Sequence, residues 1–213
     1  MPRLHLRCSC GAVSWDLIEG SPRTGIRYIC HCDDCQAFAF YTGHQADMLD
    51  TQGGLDAYQL PSTQIEFHSG LNRLACVQVT SRPLLRWHCG TCRTPVAGTY
   101  HSAKLSFVSV SLCAAAMADR EAVCGPSSGH VWTKFGWGDL SKVKQCSIPA
   151  MLWRMASRMV RARLSGDYRN NPFFHADGRP LATPHVLSRQ ERDELDAAAK
   201  LAAGKSGALT SPG

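Results

Sequence analysis

No stretch of this 213-residue chain approaches the roughly 20 consecutive apolar residues that span a bilayer, so no membrane segment is expected. The first ten residues lack the apolar core of a secretory signal, and cysteines begin at Cys8. A cytoplasmic protein is the expectation. Helices do not alternate with strands in βαβ fashion, which argues against a parallel doubly wound sheet. There is no internal repeat and no extended low-complexity tract. Lysine is missing between residues 147 and 190, where seven arginines face only Asp167 and Asp177. This segment carries most of the net charge of +6. It shows no regular aromatic–basic interleaving, so it reads as a solvated helix face and not as a nucleic-acid surface.

The length suits one domain with an appendage, and 44% hydrophobic residues suffice for a packed core. Residues 1–146 read as β-structure. Leu4, Leu6 and Cys8 alternate with polar residues, as do Val13, Trp15 and Leu17, and Ile65 and Phe67. Residues 74–79 and 105–112 are β-rich runs, and 21–25 and 52–54 read as turns. From Ser147 the period changes. Ser147 caps a helix with Pro149 in its first turn. Leu152, Met155, Ala156, Met159 and Val160 share a face expected to pack on the β domain, and Arg154, Arg158 and Arg161 share another. Residues 170–184 hold three prolines and read as an irregular surface connection. A second helix starts at Ser188, in capping-box spacing with Glu191, and stops at Gly204. Residues 147–204 therefore form a helical extension, and 205–213 a disordered tail.

What the chain has in excess is cysteine. A reducing compartment and an odd count of eleven both argue against a disulfide framework. Seven cysteines fall in three tight groups. Cys8 and Cys10 form C-x-C; Cys30, Cys32 and Cys35 form C-x-C-x-x-C; Cys89 and Cys92 form C-x-x-C. Cys76, Cys113, Cys124 and Cys146 stand alone and read as inert core residues. Short pairs in tight turns can present two thiolates to one zinc, and two such pairs close a structural site. Three ligands leave a fourth position open, as in catalytic sites. Seven therefore divides into four plus three, for two zinc ions per chain. Spacing alone does not say which doublets combine; one zinc held by Cys32, Cys35, Cys89 and Cys92, with the rest free, uses the same residues. A redox C-x-x-C is disfavoured, because that motif opens a helix in a thioredoxin-like α/β setting.

The segments Cys8-Ser9-Cys10-Gly11, Cys30-His31-Cys32-Asp33-Asp34-Cys35 and Cys89-Gly90-Thr91-Cys92 resemble, in order and separation, the family of glutathione-dependent formaldehyde-activating enzymes, which includes centromere protein V. The resemblance covers roughly residues 4–112. The stretches Cys32-Asp33-Asp34-Cys35-Gln36-Ala37-Phe38 and Leu85-Arg86-Trp87 look closer to a divergent subgroup of uncharacterised bacterial proteins. The resemblance implies a mainly β fold, an antiparallel β-tent zinc-binding domain, here with a C-terminal helical extension. It implies that Cys8, Cys10, Cys89 and Cys92 hold a structural zinc. It implies that Cys30, Cys32 and Cys35 hold the open, catalytic zinc. The activity it implies is that of a carbon–sulfur lyase of the S-(hydroxymethyl)glutathione synthase type, with a small thiol and a small aldehyde as substrates. Gln36 stands where the family often has Arg, and Arg93 where it commonly has Gly.

The chemistry of an open three-thiolate zinc agrees with this. The centre carries a formal charge of −1, so it is a poor activator of water and suits an exogenous thiol, which the metal deprotonates. His31 and His88 read as surface or supporting residues, Asp33 and Asp34 as solvating the zinc loop, and Arg93 as a surface cation. The competing reading is a non-catalytic zinc module that binds a protein or nucleic acid through its Arg-rich helix.

Overall fold

The structure is a computed structural model that describes residues 3–209, with side chains to residue 205. In chain order its strands are β1 (Arg3–Arg7), β2 (Ser14–Ile18), β3 (Ile26–Cys30), β4 (Leu55–Leu60), β5 (Ile65–Ser69), β6 (Leu74–Gln78), β7 (Leu84–Cys89), β8 (Pro95–Tyr100), β9 (Val108–Ser111), β10 (His130–Val131) and β11 (His185–Val186). Its helices are α1 (Asp33–Thr42), α2 (Gln45–Met48), α3 (Met117–Cys124), α4 (Ile148–Ser165) and α5 (Arg189–Leu209). Two sheets result. One has the order β1-β2-β5; the other runs β10-β3-β4-β9-β8-β7-β6-β11. Pairing is antiparallel except where β10 and β11 add to the two edges of the larger sheet.

Strand and helix make up 27% and 34% of the chain, so the fold is mixed, with two sheets and a C-terminal helix, and mainly β describes it only in part. The β expectation holds for the two sheets. It missed α1, α2 and α3 inside the first 146 residues. Helix α1 left no amphipathic signal because it is buried on most sides, with Cys35, Gln36, Ala37, Phe38, Ala39 and Thr42 all inside. The expected strand at 105–112 is shorter, Val108–Ser111.

Alternation along β7 organises the molecule. Leu85, Trp87 and Cys89 point into a core shared with the small sheet, among Leu4, Leu6, Trp15 and Leu17. Arg86 and His88 point to the opposite face, against Phe38 and Tyr41 of α1. The larger sheet therefore has a core on each side, the second built from Cys30, Cys35, Phe38, Met48 and Val77. Gly70 joins the sheets closely. Its φ is +74°, and a Cβ there would strike the Ala12 carbonyl.

The extension is threaded into this frame. Residues 170–184 form the expected irregular connection along the surface, but Asn171, Phe173 and Phe174 in it are buried. Phe173 is fully buried and packs on Trp87 at 5.2 Å and on Phe67 at 5.5 Å. Helix α4 starts after Ser147 with Pro149 in its first turn, as expected, though the Ser147 side chain makes no capping hydrogen bond. Its orientation differs from expectation. Arg154 donates to the carbonyls of Pro22 and Gly25, and Arg158 to those of Arg23 and Gly25. Charge-assisted bonds to these loop carbonyls hold Arg154 and Arg158 half-buried, beside Met155 and Met159 of the expected apolar face, while Arg161 is exposed. Leu152, Trp153, Val160 and Leu164 stay exposed, and Ala162 is the buried residue of the helix. Helix α5 has the expected capping box. The Ser188 N–H donates to Glu191 Oε2 at 2.7 Å, and the Glu191 N–H donates to Ser188 Oγ at 3.2 Å. Gly204 does not stop it, because the helix continues to Leu209. The expected disordered tail is thus helical over its first residues, and residues 210–213 lie outside the described ones. No helix among the described residues is long and apolar enough to cross a membrane.

Candidate metal centres

Two cysteine clusters stand on the two faces of the larger sheet. Cys8, Cys10, Cys89 and Cys92 form one, and Cys30, Cys32 and Cys35 form the other; within each, the sulfurs all lie within 4.8 Å of one another. The Cys89 and Cys92 pair does not share a site with the triplet, so the single-site arrangement of Cys32, Cys35, Cys89 and Cys92 does not occur.

The first cluster joins two knuckles. After β1 the chain turns so that the Cys8 N–H meets the Val13 carbonyl and the Gly11 N–H meets the Cys8 carbonyl. The Val13 N–H donates to Cys8 Sγ at 3.2 Å. After β7 a second turn brings the Arg93 N–H to the Cys89 carbonyl, with Arg93 at φ +59°. The Ser9 N–H donates to Thr94 Oγ1 at 3.1 Å and ties one knuckle to the other. Sulfur separations are 3.5 Å for Cys8–Cys10 and 3.7 Å for Cys10–Cys89. A disulfide would require about 2.05 Å. A tetrahedron with 2.3 Å metal–sulfur bonds has edges of about 3.8 Å, so the spacing suits four thiolates around one ion. Burial raises the Cys92 thiol, but hydrogen bonds from Ser9 and Thr94 outweigh it and bring its pKa down to about 5. Burial pushes Cys8 up to about 12. A metal ion would be needed to hold all four as thiolates.

The triplet sits where β3 ends and α1 begins. Cys30 closes the strand, Cys32 is the residue before the first helical turn, and Cys35 lies in that turn. C-x-x-C therefore does open a helix here. The third sulfur distinguishes it from a redox pair, because Cys30 Sγ is 3.6 Å from Cys35 Sγ, again near a tetrahedral edge. Hydrogen bonds from Cys30 and Cys32 hold the Cys35 thiol well below its ordinary value against its burial, and the Arg86 guanidinium adds to this. The partial positive charge of the helix N-terminus acts in the same direction. Among the described residues no fourth Cys, His, Asp or Glu completes the group. Cys32 instead lines a cavity of ≈690 Å³ with Tyr28, Arg86, Phe107, Trp132 and Met155.

The surroundings differ from the sequence-based expectations. His31 is fully buried, with Nδ1 3.0 Å from the Gln52 carbonyl and Nε2 2.9 Å from His130 Nδ1. His88 is buried beside Tyr41. Neither is a surface residue. Asp33 and Asp34 do not merely solvate the loop. Asp34 is buried and pairs with Arg192 of α5 at 2.7 Å and with Arg82 at 2.9 Å. Gln36 is also buried, and its Nε2 donates to the carbonyls of His31, Gly53 and Phe135, locking three loops around the triplet. Arg93 donates to the Tyr41 carbonyl at the surface.

Two features were not anticipated. Arg86 is buried directly against Cys35. A third group, His5, Asp16 and His68, spans the small sheet. Burial raises Asp16, but hydrogen bonds from both histidines outweigh it and lower its pKa. The signal for this group was its placement at outward positions of three alternating strands, readable only once their pairing is known.

A two-sheet scaffold carrying a four-cysteine and a three-cysteine cluster defines a protein able to hold two metal ions. The chain belongs to a family of unknown function, DUF6151, whose model matches residues 2–184. No curated protein matches. The chain is also similar to a Rhodobacter sphaeroides protein of known crystal structure. The two are 17% identical with a TM-score of 0.37, over 54% of this chain and 89% of that one. A likeness that slight carries no argument.

Proposed function

We propose that the chain is a two-zinc enzyme of the carbon–sulfur lyase type, with a β-tent domain like that of the glutathione-dependent formaldehyde-activating enzymes. Cys8, Cys10, Cys89 and Cys92 hold the structural ion, and Cys30, Cys32 and Cys35 hold the open one. The observation that carries this reading is the cavity at Cys32, where one sulfur of the buried triplet meets open space and, among the described residues, no fourth protein ligand joins the three. Cys30, Cys32 and Cys35 would hold a soft divalent ion, which would supply a fourth position at which an incoming thiol could lose its proton. The thiolate sulfur would then attack the carbonyl carbon of a small aldehyde; a carbon–sulfur bond would form, the carbonyl π bond would open, and the oxygen would take up a proton. The product is a hemithioacetal, and no oxidant or reductant is consumed. The chain's own residues shape the reaction. Tyr28, Phe107 and Trp132 give the cavity partly apolar walls, and Gln36 keeps the loops around it in register.

The test combines metal content with thiol binding. The native protein should hold two zinc ions, and a small thiol should coordinate one of them with proton release near neutral pH. Cys32→Ser should retain one zinc and lose the thiol response. Four-sulfur coordination at both ions without added thiol would overturn the open site. Absence of turnover with glutathione and formaldehyde would leave the metal assignment and redirect the search to other thiols and aldehydes.

A second reading rests on α4. Its exposed Trp153 and Leu164 are 76% and 83% accessible beside several arginines, a surface suited to a partner in a non-catalytic zinc module. A salt-sensitive complex with a nucleic acid or acidic protein, formed equally by Cys32→Ser, would favour it.

A further inference from the structure

Three arginines are deeply placed around the larger sheet, and they differ in what neutralises them. Arg27 makes two hydrogen bonds to the Asp56 carboxylate, at 3.0 and 2.8 Å, and one to the Gly125 carbonyl. Arg192 pairs with Asp33, Asp34 and Asp196. Arg86 is only 6% exposed, yet among the described residues it forms no ion pair with a carboxylate. Its Nη2 donates to Cys35 Sγ at 3.5 Å, its guanidinium lies over the Phe38 ring at 5.8 Å, and its Nε has no partner. Gly98 on the neighbouring strand leaves room for it, since a Cβ there would approach Arg86 Nη1 to 3.2 Å.

An unpaired guanidinium in the interior costs several kcal/mol. Asp34 acts on it from farther off but is itself paired with Arg82 and Arg192, so the negative charge that offsets Arg86 comes mainly from the sulfurs beside it. Three thiolates around a divalent ion carry −1, so the centre and Arg86 together are neutral. A neutral fourth ligand leaves that balance unchanged. An anionic one brings the total to −1, whereas without Arg86 it would be −2 in a largely desolvated site.

We propose that Arg86 is the built-in counter-charge of the three-cysteine centre, a positioning residue that makes its fourth position select an anionic thiolate over a neutral ligand. This rests on the reading of the triplet as a metal centre.

The experiment uses the full-length protein loaded with cobalt(II), whose absorption reports the ligand set directly. Native protein, Arg86→Met and Arg86→Lys are each titrated with 2-mercaptoethanol and, separately, with imidazole. A unit charge at ~6 Å in an effective dielectric of about 20 shifts an equilibrium by roughly 100-fold. Arg86→Met should therefore retain two cobalt ions, weaken thiol binding by about that factor and change imidazole binding by less than about threefold. Arg86→Lys should recover most of the thiol affinity, because it keeps the charge. Equal loss for both ligands, or no loss for either, with two ions bound, would overturn the counter-charge while leaving the metal centre standing. One cobalt ion per chain in the native protein would overturn both. If Arg86→Met does not fold, a thiol-to-imidazole preference in Arg86→Lys below about one tenth of the native value would overturn the proposal, and a near-native preference is the expected result.

Discussion

Replacing Cys89 by Ser tests the clamp between the two sheets. Cys10 and Cys89 are 79 positions apart, yet their sulfurs lie 3.7 Å from each other. Cross-linking a loop of that length removes about 15 cal/mol/K of entropy from the unfolded chain, or ~4.5 kcal/mol at 25 °C. Domains of this kind have a net stability of about 5–15 kcal/mol, so the clamp supplies a large share of it. Cys89 also ends β7 within the inter-sheet core, and its replacement leaves a polar hydroxyl among Leu6, Trp15 and Leu74. Cys89→Ser should lose one zinc per chain and about 4–5 kcal/mol in urea unfolding. A chelator should then destabilise the variant far less than the native protein. Metal content by plasma mass spectrometry and denaturation with and without chelator give both quantities. An unchanged zinc count would refute the ligand assignment. Loss of one zinc with less than about 1 kcal/mol of destabilisation would refute the clamp.

Arg192 fastens α5 to the first turn of α1 through Asp33 and Asp34. Arg192→Ala leaves the buried Asp34 with Arg82 alone, and should cost roughly 2–3 kcal/mol in chemical denaturation; a change under about 0.5 kcal/mol would show that α5 is not held this way. Hydrogen bonds from the Ser188 backbone and hydroxyl hold the Glu191 carboxylate down from 4.5 to about 2. A carboxylate lowered on folding stabilises above its unfolded value and loses that contribution as pH falls through its folded one. The start of α5 should therefore remain capped above pH about 4.5 and fray progressively toward pH 2, seen as faster amide exchange at residues 189–193. Glu191→Gln should remove the dependence in that window, and an unaltered profile in the variant would contradict the assignment.

The sequence exposed the parts of this protein that follow a short period or a short spacing. The alternation of Leu4, Leu6, Trp15 and Leu17 located two strands and their buried side. The Ser188–Glu191 box located the start of α5. Short spacing marked the seven clustered cysteines, while their assignment to the two groups that the structure brings together came with the resemblance. What stayed hidden depends on neighbours distant in sequence. Helix α1 is covered on most sides, so its pattern carried no period. Phe173 belongs to the core because Trp87 and Phe67 offer it a slot, not because of its proline-rich setting. The half-buried placement of Arg154 and Arg158 on α4 is set by free carbonyls in the loop at residues 22–25. Arg86 looked like an ordinary strand residue, and only the register of β7 against α1 placed it at the triplet.

Strand β7 carries Cys89 on one face and Arg86 on the other, three residues apart. The protein thus has a hierarchy of assembly written into a single strand. On the two-metal proposal, filling the four-cysteine site would fix the end of β7, and with it the place of the guanidinium beside the triplet. Demetallation would then have a direction. Stripping the triplet would leave the sheets joined and that site able to reload. Stripping the clamp would loosen the end of the strand, which its ladders to β6 and β8 still hold, and disturb the triplet from a distance while its own three sulfurs stay intact.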